Sequence, residues 1–171
     1  MQNADKYFLL PTAYCFLISA YFEKGGGIMN RKSVDILLIE DNPDHVELIL
    51  KALRGNNLLN EVHVVASGEE AMDFVYQRGG YANVARPGLI LLDIKLSGMD
   101  GIEFLRRIKA DPNLKSIPVV MLTTSAGEKE IVESYNCGVN SYIVKPVDFE
   151  QFVKVIKDLK LYWVLVNSLP R

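Results

Sequence analysis

The sequence predicts an α/β protein, a doubly wound five-stranded parallel sheet of the form (βα)5. Short apolar runs bounded by turn residues recur along the chain, as strands do. Between them lie segments with apolar residues at helical spacing. One run, Gly88-Leu-Ile-Leu-Leu-Asp93, carries almost no polarity before it ends in a carboxylate. Such a run reads as a strand buried on both faces, which parallel sheets require. Strands joined by helices imply right-handed crossovers and helices on both sides of the sheet.

Composition narrows the function classes. A chain of 171 residues can bury one substantial core. Its 49% hydrophobic and 23% charged residues suit a soluble globular domain. The net charge of −2 lacks the basic footprint of non-specific nucleic-acid binding, so no nucleic-acid partner is expected. Cys15 and Cys137 form neither a ligand cluster nor a disulfide framework. A reduced, cytoplasmic compartment is the expectation.

Residues 1–32 read as an extension ahead of the domain. Within it Tyr7–Phe22 is uncharged, but it is short for a membrane span and contains Pro11. As a signal peptide it has Asp5 beside Lys6 and a poor cleavage site at Ile18-Ser19-Ala20. Lys24-Gly25-Gly26 can be encoded by a bacterial ribosome-binding sequence at a workable distance before Met29. Met29 as the true start is favoured over a native extension, and both over a membrane anchor, so no membrane partner is expected.

The elements then follow in order. Val34–Ile39 is β1, and Asp44–Arg54 is α1, with Pro43 suited to its first turn. Glu61–Ala66 is β2; its His63 reads as a half-exposed strand residue with no metal role. Ser67 caps α2, with Glu70 completing a capping box, and Gly79-Gly80 ends that helix. The run to Leu92 is β3. Asp100-Gly101 opens α3, which stops before Asp111-Pro112. Pro118–Leu122 is β4, Glu128–Tyr135 is α4 with Gly138 its stop, and Ser141–Val144 is β5. Asp148 caps α5, which runs from Phe149 towards Leu161. The domain thus spans 33–160, and 161–171 is an apolar tail that continues the last helix and leaves no room for an output domain.

In a parallel sheet all carboxyl ends meet one rim, where ligands bind. Here that rim gathers Glu40-Asp41 after β1, Asp93 after β3, Thr123-Thr124 after β4 and Lys145-Pro146 after β5. Close carboxylates repel unless a cation or raised pKa values relieve them. Hard oxygen donors with few histidines suit Mg²⁺. One carboxylate could serve as nucleophile towards a phosphoryl group neutralised by the metal and Lys145.

Five ordered motifs give this rim a family resemblance: Ile39-Glu40-Asp41-Asn42, Leu91-Leu92-Asp93, Met99-Asp100-Gly101, Leu122-Thr123-Thr124-Ser125 and Tyr142-Ile143-Val144-Lys145-Pro146. The chain resembles the receiver domain of two-component response regulators over about residues 33–160. In finer details it resembles single-domain, chemotaxis-type receivers that pair with bacterial phytochrome-type histidine kinases. The resemblance implies flavodoxin-like strand order 2-1-3-4-5 and a phosphorelay function. Asp93 would accept a phosphoryl group from a kinase histidine. Glu40, Asp41, Asp93 and the backbone carbonyl of Lys95 would hold Mg²⁺, directly or through water. Thr123 would hydrogen-bond the acyl phosphate, Lys145 would pair with it, and Tyr142 would be the aromatic switch. The Lys145–Pro146 bond is expected to be cis. No other cofactor is implied, and no enzymatic activity beyond self-phosphotransfer and autodephosphorylation.

Two departures stand out. Ser97-Gly98 replaces the Pro common in that loop, which is then expected to be more mobile. Lys95 stands where chemotaxis-type receivers often have Asn, which bears on dephosphorylation. An Asp-nucleophile phosphatase would need a second Asp at position 95, and a flavodoxin-type carrier would need a hydroxyl-rich phosphate loop after β1. The remaining alternative is a phosphorylation-independent interaction scaffold. Signalling is expected through a separate downstream protein. The apolar Leu159–Val166 segment is expected either to fold back on the domain or to build a homodimer through the last helix and its neighbours.

Overall fold

The computed structural model describes residues 35–54, 61–124 and 127–145, with 150, 151 and 154. The N-terminal extension, Met29, Pro146, the tail and most of α5 lie outside the described residues.

Five strands form one parallel sheet in the order β2-β1-β3-β4-β5: Ile36–Ile39, Val62–Val65, Leu89–Leu92, Val119–Thr123 and Ser141–Val144. The expected architecture and order are both present. The helices are α1 (Pro43–Arg54), α2 (Gly68–Val75), α3 (Gly101–Ala110) and α4 (Glu128–Asn136). Among the described residues no helix is long and apolar enough to cross a membrane.

Side chains alternate across each strand, so the sheet serves two cores. Leu37, Ile39, Ile90, Leu92, Val119 and Met121 join Phe74 of α2 and Phe104 of α3 in one cluster. Ile36, Leu38, Leu89, Leu91, Val120 and Leu122 join Ile49 and Leu53 of α1 in the other. At about 1.5–3 kcal/mol per fully buried aliphatic or aromatic side chain, these clusters hold the strand ends in register. Ile39 pairs with Leu92 and Leu92 with Met121, so the residues that follow emerge together at the rim.

Caps fix the helices that frame that rim. Asn42 Oδ1 accepts from the amides of Asp44 (2.9 Å) and His45 (3.3 Å), and Asp100 Oδ1 accepts from Glu103 N at 2.7 Å. Ser67 caps α2 as expected, with Glu70 N donating to its Oγ at 3.1 Å. Glu70 reaches back one residue further than a capping box would, accepting from Ala66 N at 3.0 Å. At the far end of α4, Gly138 adopts φ +85°. Gly138 N donates to Tyr135 O and Val139 N to Ser134 O, the paired bonds of a Schellman motif.

The end of α2 differs from expectation. The helix stops at Val75, and Gln77 takes the positive φ of 55° that a glycine was expected to supply. Gly79–Tyr81 instead forms a short 3₁₀ turn. Tyr76 and Tyr81 close this region by donating to Asp111 and Glu70, each at 2.6 Å. His63 is half-buried against the Phe74 ring, with centroids 5.0 Å apart. β4 runs one residue further than expected, which puts Thr123 inside the strand.

Candidate functional site

The rim site begins with Asp93. Its amide donates to Ile39 O at 3.0 Å, which continues the β1–β3 ladder and brings it beside Glu40. Its carboxylate is buried, with a donor on each oxygen: Lys145 Nζ on Oδ1 at 3.0 Å and Lys95 N on Oδ2 at 2.9 Å. Helix α3 starts directly over its backbone. A Cβ on Gly101 would stand 2.2 Å from Asp93 O and 2.9 Å from Ile94 Cα. Only glycine fits there, and Gly101 N uses the space to donate to Ile94 O at 2.9 Å.

Lys145 joins the two sides of the site. Its Nζ donates to Glu40 Oε2 at 2.5 Å as well as to Asp93. The three side chains are 7%, 2% and 8% exposed, so this is a buried, charge-assisted triad. Removing one member of such a set strands a buried charge, at a cost of about 3–5 kcal/mol. His45, on the first turn of α1, completes it. Its Nδ1 lies 3.0 Å from Glu40 Oε1 and 3.3 Å from Lys145 Nζ. A carboxylate can only accept and an ammonium only donate, so the shorter contact makes Nδ1–H a donor to Glu40.

Asp41 faces elsewhere. Its Oδ2 accepts from both the amide (3.0 Å) and the hydroxyl (2.7 Å) of Ser97. Next to that contact, Glu69 of α2 accepts from Met99 N at 2.9 Å. The β3–α3 loop, expected to be loose for want of a proline, is therefore tied to both β1 and α2. Lys95, in the same loop, has an exposed side chain.

Thr123 and Tyr142 lie fully inside, at 0% and 2% exposure. The two side chains are hydrogen-bonded, and burial pushes the Tyr142 phenol up to about 12, with the charges of Glu130 and Asp93 adding to the effect. The ring expected to be the aromatic switch thus occupies a buried position.

Glu40, Asp93 and Lys145 are thus brought together, Thr123 and Tyr142 are paired beside them, and Asp41 stands apart with Ser97. Among the described residues no three acidic, histidine or cysteine side chains converge closely enough to hold a metal ion between them. The donors nevertheless suit a hard divalent cation: Glu40 and Asp93 face one ammonium, Asp41 stands next in sequence to Glu40, and all three offer oxygen. Asp41 would have to turn for all three to meet it. His45, Ser97 and Glu69 were not legible as site residues. For His45 the available signal was its place in the first turn after an acidic strand end.

The comparisons with known proteins agree with this fold. The response regulator receiver domain family matches residues 36–157. Response regulator Rcp1 of Synechocystis sp. is 38% identical over 135 residues, covering 79% of this chain and 92% of Rcp1. Among solved structures, the phosphorylated cyanobacterial phytochrome response regulator RcpA is similar with a TM-score of 0.79 and 43% identity, covering 82% of this chain and all of that one. The Mn²⁺-bound form of Rcp1 is similar with a TM-score of 0.77 and 38% identity, covering 81% and 99%.

Proposed function

The chain belongs to the response regulator receiver family, and we propose that it is a cytoplasmic single-domain response regulator that accepts a phosphoryl group on Asp93. Receivers pair with histidine kinases, and this chain's relatives include phytochrome response regulators. A phytochrome-type histidine kinase is therefore the proposed donor. The observation that carries the reading is the buried Asp93 carboxylate, with Lys145 Nζ 3.0 Å away at the carboxyl end of β3.

The chemistry follows from the residues in place. A lone pair on an Asp93 oxygen attacks phosphorus, the P–N bond to the kinase histidine breaks, and its electrons return to the imidazole. Asp93 is oriented by two donors, so little reorganisation precedes attack. Lys145 moves its charge to the phosphoryl oxygens, and Thr123 donates its hydroxyl to one of them. Glu40 stays buried and keeps His45 and Lys145 positioned. Mg²⁺, held by Asp93, Asp41 and the Lys95 carbonyl with Glu40 acting through water, would neutralise the transferring group. Water later hydrolyses the acyl phosphate, so the protein acts on itself and not on a separate substrate.

The new charge of about −1.5 to −2 at Asp93 biases the Thr123–Tyr142 pair between two arrangements, which a non-covalent downstream partner reads. The test is Mg²⁺-dependent labelling by acetyl phosphate, followed by phosphate-affinity electrophoresis. Asp93→Asn keeps the shape, removes the nucleophile and is expected to abolish labelling. Labelling of the variant at full rate would refute the assignment.

A further inference from the structure

Ser97 gives Asp41 two donors on one oxygen, its amide at 3.0 Å and its hydroxyl at 2.7 Å. Each of the other rim carboxylates is likewise held by protein. Glu40 lies against Lys145 and His45, and Asp93 against Lys145 and the Lys95 amide. Those two sit with the buried ammonium, whereas Asp41 is drawn across to the exposed β3–α3 loop. The loop is anchored there independently, because Glu69 accepts from Met99 N at 2.9 Å. Ser97 is therefore a fixed pair of donors. For Asp41 to offer Oδ2 to a cation at Asp93 it must give up both.

We infer that Ser97 is a latch on Asp41 that competes with the divalent cation and so sets the chain's cation affinity. The inference rests on the cation requirement proposed above. A cation that takes Asp41 through Oδ2 competes with both Ser97 donors for the same oxygen. By reciprocity, a bound cation loosens the loop as much as the loop weakens the cation. A proline at this position would have neither the amide proton nor the hydroxyl. The Ser97 departure thus has a specific chemical consequence at Asp41.

The probe is Mn²⁺, titrated into the full chain and followed by the paramagnetic resonance signal of the free ion, with Mg²⁺ as competitor. Ser97→Ala removes the hydroxyl donor and is expected to bind Mn²⁺ about three- to tenfold tighter, the range of one solvent-facing hydrogen bond. Ser97→Thr restores the donor and is expected to return to the wild-type affinity. In the wild type, saturating Mg²⁺ is expected to speed hydrogen exchange at the Ser97 amide. Unchanged or weaker binding by Ser97→Ala, with saturable wild-type binding, overturns the latch and leaves the cation site standing. Wild-type binding that never saturates and matches Asp41→Asn overturns the cation site, and the latch with it.

Discussion

Gly101→Ala tests whether the Asp93 backbone is clamped by α3. The added methyl would stand 2.2 Å from Asp93 O, 2.9 Å from Ile94 Cα and 3.1 Å from Asp93 C. All three are backbone atoms and cannot rotate aside. Ordinary non-bonded separations are about 3.5–4.0 Å, so the start of the helix must retreat by roughly 1 Å. Overpacking of this kind costs about 1–3 kcal/mol. The retreat also stretches the 2.9 Å bond from Gly101 N to Ile94 O, worth about 1 kcal/mol. The better helix propensity of alanine returns part of this, at most about 1 kcal/mol. The expected net loss is about 1–3 kcal/mol, a large share of the roughly 5–15 kcal/mol that stabilises a typical domain. Urea unfolding measures it directly. Gly80→Ala serves as the control, because its Cβ would meet nothing within 4 Å and its stability should stay near wild type. Labelling of Gly101→Ala by acetyl phosphate should also slow, since a shifted Asp93 is misaligned for attack. A Gly101→Ala protein within about 0.5 kcal/mol of wild type, the usual range of a neutral surface change, would show that the clamp does not exist.

Three further outcomes are expected. Lys95→Asn should speed autodephosphorylation if the exposed Lys95 side chain, two residues after Asp93, screens the acyl phosphate from water; an unchanged rate of acyl-phosphate decay would exclude this. Tyr142→Phe removes a phenol that is buried and hydrogen-bonded to Thr123, and should cost about 1–2 kcal/mol in urea unfolding; no loss would mean that the bond adds nothing. Burial pushes the Lys109 ammonium down to about 8 from 10.5, so above pH 8 the native protein releases a proton that the unfolded chain still binds. Stability should rise from pH 8 to 9.5 from this group, and Lys109→Met, though less stable throughout, should lose that increment; equal pH slopes in the two proteins would contradict it.

The parts of the fold legible in the sequence are those that burial dictates. The strands read as apolar runs because both faces of the sheet are covered, and Asp93 stood out as the polar residue ending one of them. Ser67 and Asp100 were readable as caps because each carries the oxygen its helix needs. The end of α2 was misread because a non-glycine residue, Gln77, takes the left-handed conformation there and leaves no compositional mark. Site contacts made across the fold were not legible for another reason. Ser97 meets Asp41 across 56 positions of sequence, and local patterning carries no information about such a meeting. His45 likewise looked like an ordinary residue of the first helical turn until β5 delivered Lys145 beside it.

Lys109 lies at the amino-terminal edge of the sheet, opposite the acidic rim. Its Nζ donates to Lys115 O (3.1 Å), Ile117 O (2.8 Å) and Asn140 Oδ1 (3.2 Å). Asn140 Oδ1 also accepts from Val119 N at 2.9 Å, and Asn140 N donates to Val119 O at 2.9 Å. The entrances to β4 and β5 are thereby riveted to each other and to α3. β4 and β5 also stay paired in register as far as the opposite end. That end carries Thr123 and Val144, next to Lys145. The two strands are thus held at the base by side chains and along their length by the ladder, and they carry Thr123, Val144 and Lys145 to the rim as one unit.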